Sequence, residues 1–195
     1  MRTSRAAANT RTRILNELKD DHKRVKKAYR DFQKLDHHED PQACAPLVEQ
    51  VLSELRVHAA LEEELLYPAA RGQVAEEDLV DEAEVEHEML HVLIDQLAMM
   101  DPEDELYAAR FTVLCEYVVH HVKEEEGEMF PQLERARLDW EALGREMDER
   151  RRELMSTEGQ ADDARAERTE RGDSGRGQGS ADEEEEEAQA AGAAR

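Results

Sequence analysis

HAALEEELLYP, residues 58–68, recurs in the same chain as HVKEEEGEMFP, residues 121–131. Each copy reads His, then Glu at +4, an aromatic at +9 and Pro at +10. At 3.6 residues per turn, His58 and Glu62 leave one helix face together, as do His121 and Glu125. Apolar residues share those faces: Val51, Leu55, Leu65 and Ala69 around the first pair, and Phe111, Leu114, Val118 and Met129 around the second. The stripe that a helix normally buries therefore carries ligand-type side chains in its middle.

Two further segments show the same periodicity. Leu15, Leu18, Val25, Tyr29 and Phe32 predict a helix over 12–35, with His22 in phase between Leu18 and Val25. Val80, Ala83, Ile94 and Ala98 predict another over 76–99, with His87 and His91 in line. The polar run Asp36 to Asp40 closes the first helix, and Pro41 or Pro46 opens the second, proline being tolerated in a first turn. Gly72 ends the second helix, and Asp101-Pro102 with Glu105 marks the break before the fourth.

The chain thus reads as all-α. Only 4% of its 195 residues are aromatic, and Ala, Leu, Glu, Arg and Lys dominate. Short connections favour an up-down-up-down four-helix bundle over 11–135, after a flexible stretch at 1–10. Within 136–155 a short additional helix is expected, with Trp140, Leu143 and Met147 covering an end of the bundle. From Ser156 the chain loses its large apolar residues and ends in the acidic run Asp182 to Glu187, so 156–195 reads as a disordered acidic tail.

A formal net charge of -23 opposes binding to nucleic acid or to anionic membranes. No segment has the roughly 20 apolar residues of a membrane span, and no secretory signal is visible, so a cytoplasmic protein is expected. Cys44 and Cys115 lie far apart without metal-ligand spacing, and neither a disulfide framework nor a thiolate site is supported.

A single histidine on a buried stripe is more often a hydrogen-bonded core residue than a ligand. A buried glutamate differs, because its desolvation requires a proton, a cationic partner or a metal. Here His22, His58, Glu62, His87, His91, His121 and Glu125 all face one axis, and the only basic side chain on those faces is Lys26. A cation resolves the conflict. Mixed imidazole and carboxylate ligation suits iron ahead of zinc, copper or manganese. Seven ligands exceed the usual share of one ion and suit two ions about 3.5 to 4 Å apart. Asp-His22 and Glu-His87 extend the repeat to the other two helices, giving two similar helix pairs about a pseudo-twofold axis. Lys26 stands where symmetry would place the partner of His91, which makes the site asymmetric. His120 faces about 100° away from His121, and His37 and His38 lie in a polar connection. Tyr29, Tyr67, Tyr107 and Tyr117 read as packing residues, with Tyr29 nearest the ligand face.

This arrangement resembles the hemerythrin family and its HHE cation-binding domains, over residues 12 to 134. The resemblance implies a non-haem di-iron site, oxo- or hydroxo-bridged, with His22, His58, His87, His91 and His121 supplying imidazoles and Glu62 and Glu125 bridging. It implies binding of a small ligand such as O2, NO or peroxide, for storage, sensing or response to oxidative stress. An enzyme acting on peroxide or O2, or an iron-responsive interaction module, is the alternative. Hemerythrins proper place an aspartate five residues after the fourth-helix histidine, where this chain has Glu126; the repeat favours Glu125. Family members vary in the second histidine of the third helix, the position of His91.

Overall fold

The computed structural model describes residues 5–37 and 39–173, with side chains to residue 159. All regular structure among them is helical. Helix α1 is Arg5–Phe32, and a 3-10 turn, Pro41–Cys44, leads into α2, Ala45–Leu61. A π turn, Glu62–Leu66, joins α2 to the short α3, Tyr67–Ala70. Next come α4, Asp78–Ala98, and α5, Tyr107–Glu124, which a second π turn, Glu125–Met129, joins to α6, Phe130–Leu133. Helix α7 is Trp140–Asp173.

The stripes read from the sequence form the interior of a helical bundle. Helix α1 packs on α2 and α5, and α4 packs on the same two, so four rods close into a ring. Val25, Phe32, Val51, Leu55, Ile94, Phe111, Leu114 and Val118 are buried together in one cluster. Each such side chain contributes about 1.5–3 kcal/mol on leaving water. Gly72 takes φ 71 just past α3, the left-handed conformation that glycine adopts without a Cβ penalty.

Two boundaries differ from the sequence reading. Helix α1 starts at Arg5, inside the stretch expected to be flexible, because Ala6, Ala7 and Ala8 are strong helix formers. The additional helix, expected to end by residue 155, continues as α7 to Asp173. Its later half lacks large apolar residues but is rich in Ala, Glu and Arg; poverty in core residues argues against packing, not against local helix. The acidic run Asp182 to Glu187 lies outside the described residues.

The described residues divide into two units, with the boundary between Glu153 and Leu154. In the first, α7 buries Trp140, Leu143 and Met147 as expected. Asp148 of α7 takes a bidentate pair from Arg13 of α1, at 2.7 and 2.9 Å. Gly144 permits the close approach, since a Cβ there would stand 2.5 Å from Thr10 Cγ2. The second unit is described through the helical residues 154–173. No helix among the described residues is long and apolar enough to cross a membrane.

Candidate metal centre

The two copies of the repeat place their carboxylates at matching distortions of the helix. In a regular α-helix the aromatic five residues after Glu62 would point about 140° away from it. The π turn brings it round: the Tyr67 N–H bonds the Glu62 carbonyl, and the Phe130 N–H bonds that of Glu125. Tyr67 therefore packs edge-on against the His87 ring, and Phe130 lies parallel to the ring of His22.

Four imidazoles meet in pairs between the rods. His22 and His58 approach with Nε2 atoms 3.0 Å apart, and His87 and His121 with theirs 3.2 Å apart. Glu62 Oε2 is 3.1 Å from His58 Nε2 and 3.6 Å from His87 Nε2, so it touches both pairs. Glu125 Oε2 is 3.3 Å from His22 Nε2 and 4.0 Å from His121 Nε2. Two buried ligand groups result: His22, His58, Glu62 and Glu125, and Glu62, His87 and His121. They share Glu62.

Every imidazole in these groups turns its Nδ1 outward to a carboxylate. His22 Nδ1 faces Glu126 Oε1 at 2.8 Å, and His58 Nδ1 faces Asp21 Oδ2 at 3.3 Å. His87 Nδ1 faces Glu63 Oε1 at 2.8 Å, and His121 Nδ1 faces Glu86 Oε2 at 2.7 Å. Donation from Nδ1 fixes the tautomer in which Nε2 carries a lone pair, the arrangement of metal-bound histidines. Hydrogen bonds from His87 and His91 outweigh burial and hold the Glu63 carboxyl below its ordinary range; Glu86 is lowered chiefly by its bond to His121. The Asp21 carboxyl, despite burial, is held down to about 2 by His58 and Arg151.

The residues fit a cation. Lone pairs aimed at one another across 3.0 Å repel unless a proton or an ion lies between them, and two ligands on one ion at about 2.1 Å and a right angle stand about 3.0 Å apart. The side chains of Glu62 and Glu125 are buried to within 1% of fully, and each retains an oxygen, Oε1 and Oε2 respectively, without a hydrogen-bond partner. An orphaned carboxylate oxygen in a dry interior costs several kcal/mol unless an ion satisfies it.

Of the seven residues singled out in the sequence, six converge. His91 does not: its side chain is 42% exposed, and its Nε2 bonds Glu63 Oε1 at 2.8 Å. The repeat accounts for this, because Lys26 holds the matching place and lies 3.7 Å from Glu126 Oε1. Both side chains thus reach an outer carboxylate rather than the centre. Tyr29 also stays outside, with its hydroxyl 3.4 Å from Glu116. Tyr67, read from the sequence as a packing residue, belongs to the site: its buried hydroxyl stands 3.2 Å from His87 Nε2 and 3.5 Å from an oxygen of each of Glu62 and Glu125. Sequence reading passed over Asp21, Glu63 and Glu86 as outer carboxylates; the signal was an acid directly beside a ligand in every helix. Cys44 and Cys115 are buried free thiols.

The hemerythrin HHE cation-binding domain model matches residues 13–133, and the chain belongs to that family. A solved hemerythrin HHE cation-binding domain-containing protein from Mycobacterium kansasii shares the fold, with a TM-score of 0.57 and 24% identity, covering 72% of this chain and 85% of that one. A DNA nickase from Nostoc sp. is 31% identical over 99 residues, which are 51% of this chain and 28% of that protein. The site is accordingly a metal-binding centre of the HHE type.

Proposed function

We propose that this chain is a non-haem di-iron protein that binds dioxygen or a related small ligand such as NO, for storage, sensing or response to oxidative stress. The observation that carries this reading is the sharing of Glu62 between two buried ligand groups, an arrangement suited to two adjacent ions. His22, His58, Glu62 and Glu125 would hold one, and Glu62, His87 and His121 the other, with Glu125 reaching toward it. Imidazole with carboxylate is a donor set that accepts iron.

Two ferrous ions, if held by these residues, would supply two reducing equivalents for chemistry with a small oxidising ligand. The chain supplies the rest. A cavity of about 20 Å³ adjoins all four imidazoles and is walled by Val25, Leu55, Leu90, Val118 and Val122. It has room for little more than one water-sized molecule, which suits a small ligand rather than a hydrated ion; Asp21, Glu54 and Glu86 also border it. On the opposite side of the carboxylates, the Tyr67 hydroxyl is kept protonated by burial and by the charges of Glu62 and Glu125, so it serves as a hydrogen-bond donor. The DNA chemistry named for the Nostoc relative is not carried over: the matched segment is 28% of that protein, and a chain of charge -23 repels phosphate.

Metal analysis paired with absorption spectra tests the proposal. Protein reduced without oxygen and then exposed to air should contain two irons per chain and gain charge-transfer absorption in the near-ultraviolet and visible. A folded protein that takes up no iron, or whose spectrum ignores oxygen, would overturn it. Oxygen uptake that stops after one equivalent marks a binding protein; continued turnover marks an enzyme.

A further inference from the structure

The sequence repeat pairs each position on one half of the centre with a position on the other, and the outer surfaces of the two halves differ in a way that bears on metal entry. On the first half, Asp21 is capped by the guanidinium groups of Arg24 and Arg151, and the neighbouring positions Val57 and Leu61 are buried and apolar. Glu17, one turn back along α1, is tied by Arg13. The equivalents on the second half are Glu86 for Asp21, His120 for Val57, Glu124 for Leu61 and Glu82 for Glu17. That half therefore presents ligand-type side chains where the other presents a cationic and apolar cover.

These residues form a built site. Glu86, His120 and Glu124 offer ligand atoms close enough for one cation, with His120 Nε2 3.3 Å from Glu124 Oε1 and 3.9 Å from Glu86 Oε1. Glu86 gives its other oxygen to His121, so one carboxylate links the outer group to the centre. Below it lies a second cavity, bordered by Glu82, Glu86 and Glu124 and reaching His121 and Glu125. Glu125 is only 2% exposed, and its Oε2, which faces His22 Nε2 at 3.3 Å, makes no hydrogen bond; the cavity, also bordered by Leu79, Ala83 and Met129, joins this buried carboxylate to the outer acids.

We infer that Glu86, His120 and Glu124 form a transit site for a divalent cation, from which it passes to the buried centre along the cavity ending at His121 and Glu125. This rests on the metal-centre reading above. An anionic mouth raises the local concentration of cations and their arrival rate. The mixed His and carboxylate set is weak and half-exposed, which suits a site that must release its ion inward. On the opposite half Arg24 and Arg151 already occupy the Asp21 carboxylate, and Arg24 also ties Glu54, so those acids are engaged and less able to take an ion.

The test is the rate at which metal-free, full-length protein takes up Fe(II) without oxygen, sampled by chelator quench. The variant His120→Ala/Glu124→Gln removes two exposed or half-exposed side chains and leaves Glu86, which holds His121, in place. Initial uptake should fall on the order of tenfold, with two irons still bound at the end, while Glu88→Gln, an exposed acid on the same helix as Glu86, should load at the wild-type rate. Charge reversal at Glu124→Lys should slow loading further. Unchanged uptake in the double variant, or equal slowing in Glu88→Gln, would overturn the route. Failure of the wild-type protein to take up iron would instead overturn the metal-centre reading, and the route with it.

Discussion

Arg151 Nη2 lies 2.8 Å from Asp21 Oδ2, and that same oxygen accepts from His58 Nδ1 at 3.3 Å. The C-terminal helix thereby reaches an imidazole at the centre through one carboxylate. Arg150 binds Glu64 in the π turn at 2.7 and 2.8 Å, so α7 contacts the surroundings of both His58 and Glu62.

Loosening this link should weaken metal retention without abolishing it. Asp21→Asn keeps the shape but removes the charge that orients His58, and outer carboxylates of this kind contribute about 10–100-fold in affinity. Arg151→Gln leaves the Asp21–His58 bond and should cost less, within about tenfold. Rates of iron loss to a chelator rank the two. Equal retention by both variants and wild type would show that the contact is ornamental.

Glu62 and His91 should behave as opposites, although both lay on stripes facing the axis. Glu62 is wholly buried and common to both ligand groups, whereas His91 is 42% exposed and bonded to Glu63. Glu62→Gln should lose the spectrum of a coupled pair and most of the iron; His91→Ala should retain two irons per chain. Iron content by elemental analysis decides, and full occupancy in Glu62→Gln would remove the basis of the shared-carboxylate assignment.

Metal loading should release protons and strengthen as pH rises. In the metal-free chain burial favours the neutral His58 ring, but the charge of Glu62 and the bond to Asp21 prevail and push it up to about 10. A ligand needs the Nε2 lone pair, so that proton must leave. The ordinary imidazole value is about 6.5. A raised folded value contributes stability that is complete below about pH 6.5 and lost as pH climbs through about 10. Metal-free protein should therefore melt progressively lower between pH 7 and 10, and the gap to loaded protein should widen. A constant gap in Tm would refute this coupling.

The repeat made the inner ligands legible because His and Glu interrupt apolar stripes at helical spacing. The outer carboxylates were harder to see: with 49 acidic residues in the chain, an acid next to a ligand carries little information until its side chain is placed. The π turns left a trace in the five-residue step from Glu62 to Tyr67, which an α-helical wheel misplaces. His91 lies away from the other six because it and its counterpart Lys26 both reach past the centre to the carboxylate after the ligand, a direction that helical spacing alone does not reveal. The contact of Arg151 with Asp21 spans 130 residues, and no local pattern announces it.

Gly144 provides a test of how α7 is held. Replacing glycine by alanine inside a helix ordinarily stabilises by up to about 1 kcal/mol, and Gly159, with open space around its Cβ position, should follow that rule. At Gly144 the added carbon would stand 2.5 Å from Thr10 Cγ2 and 3.4 Å from Ile14 Cδ1. Ile14 is buried, and Arg13, whose Nη2 would lie 3.1 Å from the added carbon, is held by Asp148 and Glu17, so the space is hemmed in on more than one side. Overpacking of this kind costs about 1–3 kcal/mol, which exceeds the propensity gain. Gly144→Ala should destabilise modestly, Gly144→Val more, and both should speed iron loss by drawing Arg151 away from Asp21. Urea unfolding with a chelator assay reads both effects. Stabilisation by Gly144→Ala would mean that α1 and α7 do not approach as closely as these residues require.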